Sequence, residues 1–163
     1  MPALAHPRLR CPAGYTLVEL LVVLAVLGVL GYLVMPLAEL ALQRDREHEL
    51  KHALWEIRDA IDAYKRAADA GSIVVVPGQS GYPPDLITLT QGVADAKASG
   101  RMLYFLRRVP RDPFADPALP AEQTWGLRSY LSPPDQPKPG ADVYDVYSRS
   151  NRVGLNGQAL NTW

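Results

Sequence analysis

Two groups of residues in this 163-residue chain carry reactive side chains at spacings that chemistry can use. His48-Glu49-Leu50-Lys51-His52 matches H-E-x-x-H, in which two histidines one helical turn apart bind zinc and the glutamate serves as base. The second group is Gly14-Tyr15-Thr16-Leu17-Val18-Glu19, where one carboxylate stands at the head of a run that is otherwise apolar. An ionisable group in a membrane-spanning segment costs ~2.5–3.5 kcal/mol at mid-bilayer on insertion scales, so Glu19 needs a partner. A cut after Gly14 would create one. The new α-amino group on Tyr15 would lie about one helical turn from Glu19, in the same chain or in a packed neighbour, and a pair is penalised far less than a lone charge.

The elements that must position these groups follow from the pattern around them. From Leu20 to Ala38 there are 19 consecutive residues without a charge. At ~1.5 Å per residue this is roughly 28 Å of helix, close to the ~30 Å hydrocarbon thickness of a bilayer. Arg8 and Arg10 precede it and predict a cytoplasmic N-terminus with the bulk of the chain across the membrane. A signal anchor or secretory signal peptide begins in the same way, but Met35-Pro36-Leu37-Ala38-Glu39 makes a poor signal-peptidase site. Pro36 removes one backbone hydrogen bond and predicts a kink or a loosened turn.

Beyond Ala38 the pattern becomes amphipathic. Leu50, Leu54, Ile57, Ile61, Tyr64 and Ala68 recur at steps of three and four, while Arg44, Glu47, Lys51, Arg58, Asp59, Asp62, Lys65 and Arg66 lie largely off that stripe. The helix is expected to reach about Ala70 and to stop at Gly71. Because Leu50 is on the stripe, His48, Glu49 and His52 turn to the solvent side, and the helix running on beyond them offers no third ligand. A membrane-anchored zinc protease therefore stands as the weaker reading, and a solvated charged face as the stronger. Trp55 falls off the stripe, either as an exposed subunit contact or as an indole covered by a local loop.

From Ser72 the chain is rich in turns. Ile73 to Val76 reads as a short strand, residues 85–92 and 102–108 as short helices or turns, and Asp112-Pro113 as a turn. The runs 124–130 and 143–148 are aromatic and β-branched and predict an antiparallel pair, with a third short strand nearer the end. The fold class expected is α+β: one long N-terminal helix whose stripe packs on a small antiparallel sheet. Lys and Arg total 17 and Asp and Glu total 17. Loss of residues 1–14 removes Arg8 and Arg10 and no acid, which leaves a slightly acidic chain with no basic face for a nucleic acid. It also removes Cys11, the only cysteine, so the remainder must hold together by packing. No nucleophile constellation, phosphate loop or cofactor fingerprint is present, and no enzymatic activity is expected.

The stretch from Gly14 to Leu27, with its T-L-V-E-L core, resembles the N-terminus of type IV pilins and of the pseudopilins of type II secretion systems. The resemblance implies cleavage by a prepilin peptidase between Gly14 and Tyr15, N-methylation of Tyr15, and an assembly role for Glu19, the fifth residue of the processed chain. Tyr15 stands where phenylalanine is more usual. Pro36, twenty-second after the cut, matches a proline that many of these proteins carry where the helix partly unwinds in the filament. Further along, Tyr82-Pro83, Val109-Pro110-Arg111-Asp112-Pro113-Phe114, Asp145-Val146-Tyr147-Ser148 and Asn161-Thr162-Trp163 are similar to the major (G-type) pseudopilin.

The implied organisation is a leader at 1–14, a transmembrane and filament-core helix at 15–38, its amphipathic continuation at 39–71, and a periplasmic loop and sheet region at 72–163. The implied function is that of an inner-membrane subunit that polymerises into a periplasmic pseudopilus and drives export of folded proteins. The partners implied are copies of itself, the prepilin peptidase, the assembly platform and its ATPase, minor pseudopilins and the secretin. A type IV pilus subunit or minor pilin is the alternative, disfavoured because major pilins usually close a disulfide. A generic single-pass anchor carrying a binding module is another. The family's C-terminal loop often binds calcium; here no acidic residue follows Asp145, and Ser148, Asn151 and Asn156 are a poor set for a hard cation, so no cofactor is expected.

Overall fold

The computed structural model describes residues 14–163, with the side chains of residues 33 and 36 left aside. Arg8, Arg10 and Cys11 lie outside the described residues. The chain divides into two compact units, Met1–Ala41 and Leu42–Trp163. One helix, α1 (Leu17–Asp69), contributes to both. The architecture is the expected α+β type, a long N-terminal helix with small antiparallel sheets.

In the first unit the described side chains of α1 are exposed, Leu20, Leu24, Leu27 and Leu30 among them. That much bare apolar surface is unfavourable in water and suits lipid or an apolar partner. The helix is long and apolar enough to cross a membrane. It continues through Pro36 without a break.

In the second unit the stripe behaves as its spacing requires. Leu50, Leu54, Ile57, Ile61, Tyr64 and Ala68 are all buried, joined by Ala53 and Ala60. The helix ends in a Schellman turn: Ser72 N–H bonds Ala67 O and Gly71 N–H bonds Ala68 O, both at 2.9 Å. Gly71 adopts φ +74°, which a side chain would strain.

Four short strands follow. β1 (Val93–Ala94) and β2 (Met102–Leu103) pair antiparallel, as do β3 (Trp125–Arg128) and β4 (Asp145–Ser148), with Trp125 opposite Ser148 and Arg128 opposite Asp145. The second pair matches the expected one. Trp125, Val143 and Val146 join the helix stripe in one core with Leu86, Leu89, Leu106 and Leu160. Gly126 faces Tyr147 across the sheet, and a Cβ there would lie 2.3 Å from the tyrosine ring.

Several expectations are corrected. Ile73 to Val76 is not a strand: Ile73 turns into the core, whereas Val76 closes a turn with Gln79, and no strand edge is offered to Val74 or Val75. Residues 102–108 are not helical, because Met102 and Leu103 pair with β1 and both Phe105 and Leu106 N–H groups bond the Leu89 carbonyl. The third strand is reduced to a single bridge, Val153 with Ala159, followed by a 3-10 turn at Leu160–Thr162. Glu47, expected off the stripe, is buried. Trp55 is 77% exposed, so no loop covers it.

Candidate processing and assembly site

Gly14 and Tyr15 lie in the non-helical segment immediately before α1, and both are exposed. Among the described residues, a Cβ on Gly14 would meet nothing within 4 Å. A peptidase needs an extended, accessible bond, and the Gly14–Tyr15 bond precedes the first hydrogen-bonded turn. Thr16 closes that turn: its carbonyl accepts Leu20 N–H and its hydroxyl accepts Glu19 N–H, each at 3.2 Å. Thr16 is therefore the N-cap and Glu19 occupies the first turn, where the positive end of the helix dipole favours a carboxylate by ~0.3–1 kcal/mol. The T-x-x-E spacing of a capping box is the sequence signal for this arrangement. It gives Glu19 a local electrostatic setting within a single chain.

His48, Glu49 and His52 all face solvent, as the stripe requires; the His52 side chain is 82% exposed and lies 3.9 Å from Glu56. Among the described residues no three His, Cys, Asp or Glu side chains converge to hold a metal. A concavity of about 750 Å³ is lined by Tyr64, Tyr82, Tyr130, Lys138 and Asp142 together with loop residues. Its carboxylate is already committed, since Asp142 accepts Ser129 Oγ at 2.7 Å, Tyr130 N–H at 2.9 Å and the Ser80 hydroxyl. Burial raises the Asp142 pKa, but these three hydrogen bonds outweigh it and hold the group below the ordinary aspartate value. Burial raises Tyr82 instead, with the neighbouring Tyr144 adding to the shift.

The segments singled out in the C-terminal half meet one another. Asp112, fully buried, accepts Ser148 Oγ at 2.6 Å and Phe114 N–H at 2.8 Å, while its own N–H bonds Thr124 Oγ1 at 3.2 Å. Trp125 Nε1 donates to Pro110 O at 2.8 Å. Asp145 accepts Arg58 Nε at 2.8 Å and Arg128 at 3.3 Å, and Arg58 also reaches the carbonyls of Val146 and Trp163. Glu47 Oε1 accepts Leu155 N–H at 2.8 Å and Gln43 Nε2 at 3.0 Å, which ties the C-terminal loop to the helix.

The side chains weighed as calcium donors are engaged within the chain. Ser148 donates to Asp112, Asn151 accepts Asn161 Nδ2 at 3.1 Å, and Asn156 accepts Gln158 N–H at 3.0 Å. No sequence pattern announced the roles of Glu47 and Arg58, because their partners lie about a hundred residues away.

Residues 9–31 match the prokaryotic N-terminal methylation motif. This is a type IV pilin-like signal, and it points to a structural subunit rather than an enzyme. It embraces Gly14, Tyr15 and Glu19 and about the first two thirds of the charge-free run. Neither a curated protein nor a solved structure matches the chain.

Proposed function

We propose that the chain is a structural subunit of a type II secretion pseudopilus. On this reading it is cleaved after Gly14, methylated on Tyr15, and held in the inner membrane by α1 until it is drawn into a periplasmic filament that drives export of folded proteins. The observation that carries the reading is the methylation motif at 9–31, with an exposed Gly14–Tyr15 bond just before a capped helix that begins with Glu19. The charge-free Leu20 to Ala38 stretch supplies both the membrane anchor and an apolar filament core.

The test is made in the native host. The gene is deleted and complemented with wild type or Gly14→Ala, and secreted proteins and surface pili are assayed side by side. Periplasmic accumulation of exoproteins that only wild type relieves is the expected result. Loss of pili with export untouched would move the chain to a type IV pilus, and full activity of Gly14→Ala would remove the processing step altogether.

A further inference from the structure

The concavity of about 750 Å³ has the size of a small-molecule site, for which ~300–1,000 Å³ is usual, and the processing signal makes no use of it. Its aromatic wall is built as one block. The Tyr82 and Tyr130 rings stack with centroids 5.6 Å apart and 25° between their planes, and Tyr144 meets both edge-on, at 5.0 Å and 5.7 Å. The Arg128 guanidinium lies 4.6 Å from the centre of the Tyr144 ring and braces it. Tyr130 is nevertheless 56% exposed, so with Tyr82 against one face of its ring the other is open.

Much of the remaining lining comes from the loop at 131–142, which is held by its own backbone and by Ser132. Ser129 N–H bonds Lys138 O at 3.0 Å, Lys138 N–H bonds Ser132 Oγ at 2.8 Å, and Ser132 Oγ donates to Gln136 O at 3.0 Å. Gln136 and Lys138 thus serve the loop through main-chain atoms. Both residues are exposed and line the cleft, and Lys138 forms no ion pair among the described residues. Gln79 Oε1 accepts Val76 N–H at 3.2 Å, which leaves its Nε2 hydrogens. Asp142, the only acid in the lining, is spent on Ser80, Ser129 and Tyr130. The unspent groups are therefore side-chain amides and one ammonium, beside an open aromatic face.

We propose that this cleft binds a neutral oligosaccharide, with one pyranose ring on the open face of Tyr130 and its hydroxyls met by Gln79, Gln136 and Lys138. The C–H groups on a pyranose face are apolar and slightly positive, which suits the negative face of an aromatic ring. Its rim of hydroxyls both donates and accepts, as side-chain amides do, and Lys138 adds donors. A proline-rich peptide fits less well. Its prolyl rings lodge between aromatic rings held apart, whereas these tyrosines touch one another at 5.0–5.7 Å and leave no slot. A cationic ligand would find no free carboxylate in the lining. The proposal adds a binding activity to the filament reading and does not depend on it.

The experiment uses the full chain in micelles of a detergent that has no sugar headgroup. It is titrated with cellotriose, chitotriose and maltotriose, and saturation-transfer NMR is read on the sugar protons. Saturable binding of at least one is expected, with the strongest transfer to the C–H protons of one ring face. Tyr130→Ala should weaken it about tenfold, and Tyr130→Phe, which keeps the ring face, less than about threefold. Lys138→Ala should weaken it about threefold. Both positions are exposed, and near-UV dichroism checks that each variant keeps its fold. Failure of all the sugars to bind, or wild-type affinity in both Tyr130→Ala and Lys138→Ala, overturns the proposal. Tyr130-dependent binding of a decaproline peptide without sugar binding also overturns it and gives the cleft to extended peptides. None of these outcomes touches the processing after Gly14 on which the filament reading stands.

Discussion

Asp112 shows how one buried carboxylate can hold two distant segments. It is fully buried, and its two oxygens serve Ser148 Oγ and Phe114 N–H. Asp112→Ala leaves both donors unsatisfied in the interior, and should cost about 3 kcal/mol in denaturant unfolding. Ser148→Ala leaves one Asp112 oxygen without its donor and should cost about 1–2 kcal/mol. Asp112→Asn keeps an oxygen for Phe114 N–H while the serine hydroxyl can rotate to accept, so it should fall between wild type and Asp112→Ala. Equal losses for the Asn and Ala variants would mean that charge, not hydrogen bonding, is what Ser148 and the turn require. Glu19 presents the opposite case. The Thr16 hydroxyl bonds the backbone N–H of Glu19, so Glu19→Ala removes the carboxylate and keeps the cap. If Glu19 neutralises the Tyr15 amine of a neighbour, the variant should be processed normally but yield far less filament, and unchanged filament yield would end that role. Thr16→Ala is the control for the cap itself, worth ~1 kcal/mol of helix-end stability.

At the scale of elements, the end of α1 depends on a backbone conformation rather than on contacts. Gly71→Ala places a Cβ on a residue at φ +74° in the Schellman turn, and should destabilise the second unit by about 1 kcal/mol. Gly126→Ala should cost more, since its Cβ would stand 2.3 Å from the Tyr147 ring and the sheet must shift to relieve it. Thermal unfolding of the two variants ranks them, and the reverse order would contradict the packing of Tyr147 over β3. The same elements explain what the sequence could reveal. The α1 stripe and the β3–β4 pair were legible because burial imposes a period of 3.6 or 2 along the chain, and Gly71 because a helix stop has local chemistry. Residues 73–76 and 102–108 were misread because Val74 to Val76 are β-branched without an edge to pair with, while Met102 and Leu103 find theirs in β1, nine residues back. Tertiary partners decided both. The stretch holding Gly14, Tyr15 and Glu19 was legible because it lies in a linear motif, the methylation signal at 9–31. Glu47 and Arg58 were not, since each is a charged residue on an amphipathic helix until Leu155, Asp145 and Trp163 arrive beside it.

For the molecule as a whole, the division into two units separates two kinds of surface. Every buried hydrophobic residue among those described lies between Leu50 and Leu160, within the unit Leu42–Trp163. A fragment comprising residues 42–163 should therefore fold on its own and unfold cooperatively, as followed by near-UV dichroism; a fragment without fixed aromatic signals would show that residues 1–41 are needed for the core. The folded fragment also offers a clean test of linkage. The Asp142 pKa is lowered in the native state, since hydrogen bonds from Ser80, Ser129 and the Tyr130 N–H outweigh burial. A carboxylate whose folded pKa lies below its unfolded value of ~3.9 contributes its stability in full above that value, and loses it as pH falls through the folded pKa. Asp142→Asn has no proton to bind there. The difference in unfolding free energy between wild type and Asp142→Asn should hold constant from pH 7 down to about pH 5 and shrink below pH 4. Because the other carboxylates titrate alike in both proteins, the difference isolates this one group. A gap that stays constant to pH 2.5 would mean that the hydrogen bonds of Ser80, Ser129 and Tyr130 do not distinguish the charged from the neutral form.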